Sequence, residues 1–175
     1  MMMIIYQDTP MEKIRRVSSD CLKLLEEFEC GGDFRTCMKA YRCPAGVWTI
    51  GMGTTRYPDG TPVKKGDVIS EQKLYECLTY DIASAESAVA LHVRPVIEQH
   101  QFDALVSLVY NIGRGNFMSS TLLRIINIDP FHPDVEKQFM RWIFANKKPL
   151  AGLIRRRRVE AHLYLYGKLN FNLTS

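Results

Sequence analysis

The sequence contains no apolar run that approaches the ~20 residues of a membrane span, no internal repeat and no low-complexity segment. Its apolar start, residues 1–5, is interrupted at once by Tyr6, Gln7 and Asp8. A signal peptide needs about 7–15 apolar residues after a basic start, and the first residues do not supply them. We therefore expect a chain that is made and folded in a cytosol, without stable membrane insertion.

Signals for nucleic-acid and metal binding are also missing. There is no zinc finger, no RNA-binding aromatic motif and no long basic arm, so we expect no nucleic-acid partner. The net charge of +4 and the pI near 8.8 are a mild basic excess. Such an excess favours anionic partners such as cell walls, and simple solubility is the alternative explanation.

The five cysteines are an odd number and lack the paired spacing of a zinc site. Synthesis in a cytosol favours reduced thiols, some of them buried as small apolar groups. The less favoured alternative is that Cys30 and Cys37, which flank a glycine-rich segment, pair after transfer to an oxidising space. We expect all five to be reduced: Cys21, Cys30, Cys37, Cys43 and Cys77.

A length of 175 residues suits a single domain, here residues 1–175. Ser18 or Ser19 is placed to cap a helix over 17–29, and turn residues punctuate a sheet of two or three short strands within 39–68. Ser70 caps a helix to His92 that, at 1.5 Å per residue, spans roughly 30 Å and can join two lobes. We expect an N-lobe over 17–69, a connecting helix over 70–92 and a C-lobe over 95–167.

The C-lobe is helical in period throughout. Residues 102–112 are apolar on most sides, which indicates its core helix. Shorter helices are predicted over 120–127, 133–145 and 150–166. The tail, residues 168–175, is expected to be frayed.

Glu29 has an unusual position on the first helix. Asp20 and Glu27 project away from the apolar arc of this helix, whereas Glu29 falls inside it. A carboxylate there is costly without partners or a function, and partial burial and the helix dipole both favour its protonated form. A protonated carboxyl is what a glycosidase needs as general acid, and a salt-bridged interior glutamate is the alternative.

A tight Pro/Gly turn and a short strand with closely spaced glycines follow at 41–55. The run Gly46-Val47-Trp48-Thr49-Ile50-Gly51-Met52-Gly53, with Phe28-Glu29 and Lys39-Ala40-Tyr41 before it, resembles the N-lobe of the phage-type lysozymes, glycoside hydrolase family 24. The C-lobe resembles the same family at residues 101–107, 110–113, 120–123, 142 and 152–158. The resemblance extends over nearly all of the chain from Ser18 to Gly167.

The resemblance implies an α+β, lysozyme-like fold with a cleft between a small β-sheet N-lobe and a helical C-lobe. It implies an endolysin that hydrolyses the β-1,4 bond between N-acetylmuramic acid and N-acetylglucosamine in peptidoglycan and so lyses the host cell. Glu29 is then the proton donor, and Thr49 helps to position the attacking water. No metal or nucleotide cofactor is implied. The expected substrate contacts are Tyr41, Tyr110, Asn111, Ser120 and Arg156.

Three departures from the family pattern concern the cleft. Gly31 to Thr36 reads as an insertion, Thr54 replaces a histidine, and Cys43 stands where an aspartate is common. A thiol is mostly protonated at neutral pH, so Cys43 is expected to orient water, to attack as a thiolate or merely to fill space. Asp33, in the inserted loop, is a candidate substitute carboxylate.

The run Arg155 to Arg158 spreads over about 300° of a helix, so at least one of these arginines should point inward. Near Glu29 it would hold the carboxyl group, and a basic face toward walls or lipid is the alternative. Two other functions stay open: a wall-binding or effector protein without turnover, and a membrane-active lytic protein that uses its basic C-terminal helix. We expect a monomer that stays in the host cytoplasm until a pore-forming holin admits it to the periplasm.

Overall fold

The computed structural model describes residues 15–43, 46–145 and 147–173, and this part of the chain is a mixed α+β structure. None of its helices is both long and apolar enough to cross a membrane. Two antiparallel strand pairs and a short 3₁₀ helix, Phe34–Cys37, accompany the α-helices. The helices are α1 (Ser19–Cys30), α2 (Glu71–His92), α3 (Gln99–Ile112), α4 (Arg114–Met118), α5 (Thr121–Ile128), α6 (Val135–Phe139) and α7 (Ala151–Tyr166), and the strands are β1 (Tyr41–Arg42), β2 (Trp48–Thr49), β3 (Phe144–Ala145) and β4 (Lys148–Pro149).

Helix α1 begins at Ser19, two residues later than predicted, and ends at Cys30, one residue later than predicted. The Ser18 hydroxyl accepts a hydrogen bond from the Asp20 N–H at 3.2 Å, which satisfies one of the free donors at the helix start. Gly31 ends the helix with a φ of 66°, a left-handed conformation that favours glycine. Glu29 therefore lies in the last helical turn, on the side that meets the rest of the protein.

The N-lobe sheet has two strands, within the two or three that the sequence predicts. Strands β1 and β2 pair Tyr41 with Thr49 and Arg42 with Trp48. Isolated bridges such as Ile50 with Thr54 extend this hairpin without forming a further strand. The result is a short β-hairpin at the edge of the N-lobe.

Helices α2 and α3 form the centre of the molecule. Ser70 caps α2, as predicted, by accepting a hydrogen bond from the Lys73 N–H at 3.2 Å. The predicted apolar stripe of α2 is buried throughout: Leu74, Leu78, Ile82, Ala85 and Val89. Helix α3 is buried from 101 to 109 and packs against α1, α2, α4 and α7, so it is the core helix that the sequence predicted.

Two C-terminal predictions are wrong. The helix expected over 133–145 ends at Phe139, and the chain then forms the β3–β4 hairpin, in which Lys147 has a φ of 64°. The tail is not frayed at 168–173, because Leu169, Phe171 and Leu173 pack against the core.

The expectation of five reduced cysteines is also wrong. Cys30 and Cys37 form a disulfide, as the less favoured alternative proposed, whereas Cys21 and Cys77 are buried thiols. The carbonyl of Cys37 also accepts a hydrogen bond from the Gly51 N–H at 2.8 Å. The inserted loop is thus fastened between the end of α1 and the glycine turn after β2, next to Glu29.

Candidate active site

A cavity of about 430 Å³ opens between the end of α1, the loop after β2, the middle of α2 and the end of α3. Two carboxyl groups line it, those of Glu29 and Asp81, and one guanidinium, that of Arg114. Tyr110 and Asn111, two of the predicted substrate contacts, line the same cavity. The geometry thus brings together acidic, basic and amide groups from both lobes.

The Glu29 carboxylate is held by Arg156. Nη1 of Arg156 lies 2.6 Å from Oε1 of Glu29, and the two side chains are 4% and 24% exposed. Arg156 and Arg157 are both buried. The predicted inward arginine near Glu29 is confirmed, and the alternative of a solvated basic face is wrong for these two residues.

Arg156 is surrounded by partners from two helices. Its Nε lies 3.0 Å from Oε1 of Glu160, and its Nη2 lies 3.3 Å from the carbonyl oxygen of Ser107. The Ser107 hydroxyl donates to the same Glu160 oxygen at 2.7 Å. Burial alone would lower the pKa of Arg156, but the carboxylates of Glu160 and Glu29 outweigh burial and raise it. Arg156 is therefore a fixed cation behind the acid.

A second arginine supports the rim of the cavity. Nη2 of Arg157 donates to Oδ1 of Asn111 at 2.8 Å, and its Nε lies 3.0 Å from Oε2 of Glu160. Burial lowers the pKa of Arg157, although the nearby Glu160 carboxylate opposes the change. Asn111 is exposed, so this contact fixes the orientation of an amide that faces the cavity.

Tyr110 joins the two lobes below the cavity. Its hydroxyl donates to the carbonyl oxygen of Met52 at 2.6 Å, which links α3 to the loop after β2. Gly53 has a φ of 118°, and a Cβ there would lie 3.5 Å from the Tyr110 hydroxyl oxygen. Burial, and then the charges of Asp81 and Glu29, raise the pKa of Tyr110, so the phenol stays protonated and keeps this link.

The other two predicted catalytic residues meet at one backbone oxygen. The carbonyl oxygen of Val47 accepts hydrogen bonds from the Cys43 N–H at 3.0 Å and from the Thr49 hydroxyl at 3.1 Å. Burial, followed by the charges of Glu29 and Cys43, raises the pKa of Tyr41. Tyr41 lies opposite Thr49 in the hairpin.

Four of the predicted site residues, Tyr41, Cys43, Thr49 and Arg156, do not line the cavity. Neither do Ser120 and Asp33. The Ser120 hydroxyl caps α5 by accepting from the Leu123 N–H at 3.0 Å, and it lines a separate C-lobe pocket with Trp142. The Asp33 carboxylate is exposed and accepts from the Arg35 N–H at 3.0 Å, which caps the 3₁₀ helix. Each side chain thus already has a local structural role.

Asp81 is a cavity residue that the sequence did not single out. Its carboxylate lines the cavity with Glu29 and accepts a hydrogen bond from the hydroxyl of Thr54, the residue at the family's usual histidine position. Asp81 directly precedes Ile82 of the buried α2 stripe. A carboxylate at the edge of an apolar helix face is the sequence feature that could have identified it as a site residue. Burial raises the pKa of Asp81, and the Thr54 hydroxyl opposes this.

A cleft between a hairpin-bearing lobe and a helical lobe, with a glutamate held by a buried arginine, defines a lysozyme-like α+β protein. The phage lysozyme family matches residues 34–160, a range that begins after Glu29. The chain belongs to the phage lysozyme family.

Individual relatives agree with this assignment. The endolysin of Salmonella phage P22 is 40% identical over 124 residues, which are 71% of this chain and 84% of the relative. An endolysin of Acyrthosiphon pisum secondary endosymbiont phage 1 is 36% identical over 131 residues, 73% of this chain and 86% of the relative. The solved endolysin of Escherichia coli O157:H7 phage FAHEc1 has a TM-score of 0.79 at 31% identity, covering 89% of this chain and 97% of that one. The predicted lysozyme-like fold is confirmed.

We predict that Asp81→Asn raises the melting temperature at neutral pH. A carboxyl group whose pKa is raised in the folded state binds its proton more tightly there than in the unfolded state. The stability of the protein therefore falls as the pH rises from the ordinary pKa of 3.8 through the raised value. Below about pH 3, where the group is protonated in both states, the variant and the wild type should melt alike.

Asp59→Asn is the matched control for thermal melting across this pH range. Hydrogen bonds from the Thr61 backbone N–H and hydroxyl lower the pKa of the exposed Asp59. Its contribution to stability is present above the ordinary carboxyl pKa and is lost in acid, which is the opposite slope. A neutral-pH gain from Asp59→Asn equal to that from Asp81→Asn would refute the burial argument.

Proposed function

We propose that the protein is an endolysin that cleaves the β-1,4 bond between N-acetylmuramic acid and N-acetylglucosamine in peptidoglycan. The observation that carries this proposal is the Glu29 carboxyl, which lines the cleft and is held by the buried Arg156 at 2.6 Å. Membership of the phage lysozyme family, with relatives named endolysins, supports the substrate class.

Glu29 donates the proton to the leaving oxygen of the glycosidic bond. Arg156 binds only Oε1, and Oε2 makes no hydrogen bond within the described part of the chain. Holding one oxygen restricts rotation of the carboxyl group, so the other is presented to the substrate in a defined direction. Such orientation of a reacting group is a large part of enzymatic rate enhancement.

The attacking water is placed by the hairpin. The Thr49 hydroxyl uses its hydrogen on the Val47 carbonyl oxygen, so its lone pairs remain to accept a hydrogen bond from water. The Cys43 N–H binds the same oxygen, which puts this residue beside Thr49. We assign water orientation to Thr49, with Cys43 as its neighbour in place of the usual aspartate.

The alternative of membrane lysis through a basic C-terminal helix loses its basis. Arg156 and Arg157 of α7 are buried and pair with Glu160, and α7 packs against α3 and α6. A helix that lies on a membrane surface needs an exposed basic face and an apolar face free to enter the lipid.

The alternative of a wall-binding protein without turnover predicts no product release by the wild type.

We predict that Glu29→Gln abolishes the release of reducing ends from purified peptidoglycan while the melting curve stays cooperative. The amide keeps the shape of the side chain but cannot donate the proton, and general-acid help is typically worth ~10²–10⁴ in rate. Glu26→Gln on the same helix is the control and should retain activity. Activity in Glu29→Gln together with loss of activity in Glu26→Gln would contradict the assignment of Glu29 as the proton donor.

We predict that Cys43→Ala lowers turnover by about tenfold and that Cys43→Asp keeps or raises it. A positioned base typically contributes ~10²–10⁴ in rate, and a largely protonated thiol near pKa 8.5 is a weaker base than a carboxylate. Alkylation of the thiol followed by an activity assay gives an independent measurement. Full activity after modification of Cys43 would mean that Glu29 and Thr49 suffice and that Cys43 fills space.

We also propose that the protein waits in the host cytoplasm and reaches the wall through a pore-forming holin. The Cys30–Cys37 disulfide supports action outside the cytosol, because such bonds persist in oxidising compartments. Expression of the chain alone in a Gram-negative host should be tolerated until the inner membrane is permeabilised, when culture turbidity should fall. Lysis without permeabilisation would contradict holin dependence.

A further inference from the structure

The C-terminal segment returns to the catalytic helix. After Gly167, which has a φ of 64°, the chain runs back so that the Phe171 ring meets the Phe28 ring edge-on, with centroids 6.3 Å apart. The carbonyl oxygen of Phe171 accepts a hydrogen bond from Nη2 of Arg155 at 3.2 Å. The last described residues thus contact both α1 and α7 beside Glu29.

The Phe28 ring also lies against two guanidinium groups. The Cζ atoms of Arg155 and Arg156 lie 5.2 and 5.6 Å from its centroid, within the range of cation–π contacts. Arg155 is fixed further by Glu27, 2.6 Å from its Nη2. One aromatic ring, in the residue before Glu29, therefore contacts the arginine that binds Glu29.

The contacts of Phe28, Arg155 and Phe171 lie next to the ion pair that joins Arg156 of α7 to Glu29 of α1. Glu29 lies at the end of α1 and Arg156 on α7, so their 2.6 Å contact requires a fixed separation of these helix ends. On the α7 side, Glu160 and Ser107 already hold Arg156. On the α1 side the fixing elements are the Phe28 ring, the pair of Arg155 with Glu27 and the aromatic contact of Phe171.

We propose that residues 168–173, through Phe171, form a strap with Phe28 and Arg155 that positions Glu29 for proton transfer. These are positioning residues, because they act on Glu29 through Arg156 and the end of α1 and do not line the catalytic cavity. The effect on catalysis rests on the proposed function, whereas the effect on the contact between Arg156 and Glu29 does not. A small misplacement of a reacting group can cost up to about 10²-fold in rate.

The variants separate ring electrostatics from packing. Phe28→Leu keeps an apolar side chain but removes the aromatic face, whereas Phe28→Tyr keeps that face. Phe171→Leu removes the ring of the strap. Phe139→Leu is the matched control, because it removes one ring from the pair of Phe139 and Tyr164, whose centroids lie 5.8 Å apart, and neither residue lines the catalytic cavity. The turnover number and KM on solubilised Gram-negative peptidoglycan and the melting temperature are measured for each.

Phe28→Leu and Phe171→Leu should lower kcat about tenfold with KM within twofold of the wild type. Phe28→Tyr should keep the kcat of the wild type. Phe139→Leu should leave kcat unchanged even where it lowers the melting temperature. Unchanged kcat in Phe28→Leu would overturn the proposal. So would an equal loss of kcat in Phe139→Leu, since the loss of a ring would then act only through stability.

A second measurement does not need activity. In the wild type and in Phe28→Tyr, the Arg156 Nε–H should give one sharp NMR signal that is protected from solvent exchange. In Phe28→Leu and Phe171→Leu it should broaden or exchange faster. An identical signal in all variants would overturn the strap, and a wild type that releases no reducing ends would overturn the proposed function while this comparison still decides the strap.

Discussion

The structure depends on one buried cation. Arg156 is almost fully buried and binds Glu29 of α1 and Glu160 of its own helix, with Ser107 of α3 beside them. A buried charge that loses its partner is strongly destabilising, so these three helices can pack together only in a register that keeps the cation satisfied. The position of the acid in the cleft is therefore a consequence of how the core neutralises its charges.

The same cluster bears on the proposed role of Glu29 as proton donor. If Glu29 were the only partner of Arg156, each protonation of Glu29 would leave a buried guanidinium unpaired. Glu160 supplies a second, completely buried carboxylate at 3.0 Å from Arg156, and it lies equally close to Arg157. Arg156 therefore keeps a carboxylate partner when Glu29 carries a proton, but it shares that partner with Arg157.

The spacing of apolar and capping residues predicted those features of the helices that depend only on neighbouring residues. The apolar stripe of α2, its Ser70 cap and the inward phase of Glu29 are visible in short windows, and they are correct. The Cys30–Cys37 disulfide was only the less favoured alternative, because pairing depends on proximity and redox compartment. The packing of the tail was missed for the same kind of reason, since Phe171 meets Phe28 of α1 from the far end of the sequence. Asp81 likewise becomes part of the cleft only through the fold.

The departure at Cys43 is compatible with an unchanged scaffold. The hairpin is held there by the Cys43 N–H on the Val47 carbonyl oxygen, a backbone contact that does not involve the side chain. The Thr49 hydroxyl binds the same oxygen and so keeps its place whichever residue stands at this position. A carboxylate and a thiol at position 43 therefore leave this backbone hydrogen bond equally available, and the helical cluster around Arg156 is built from other elements.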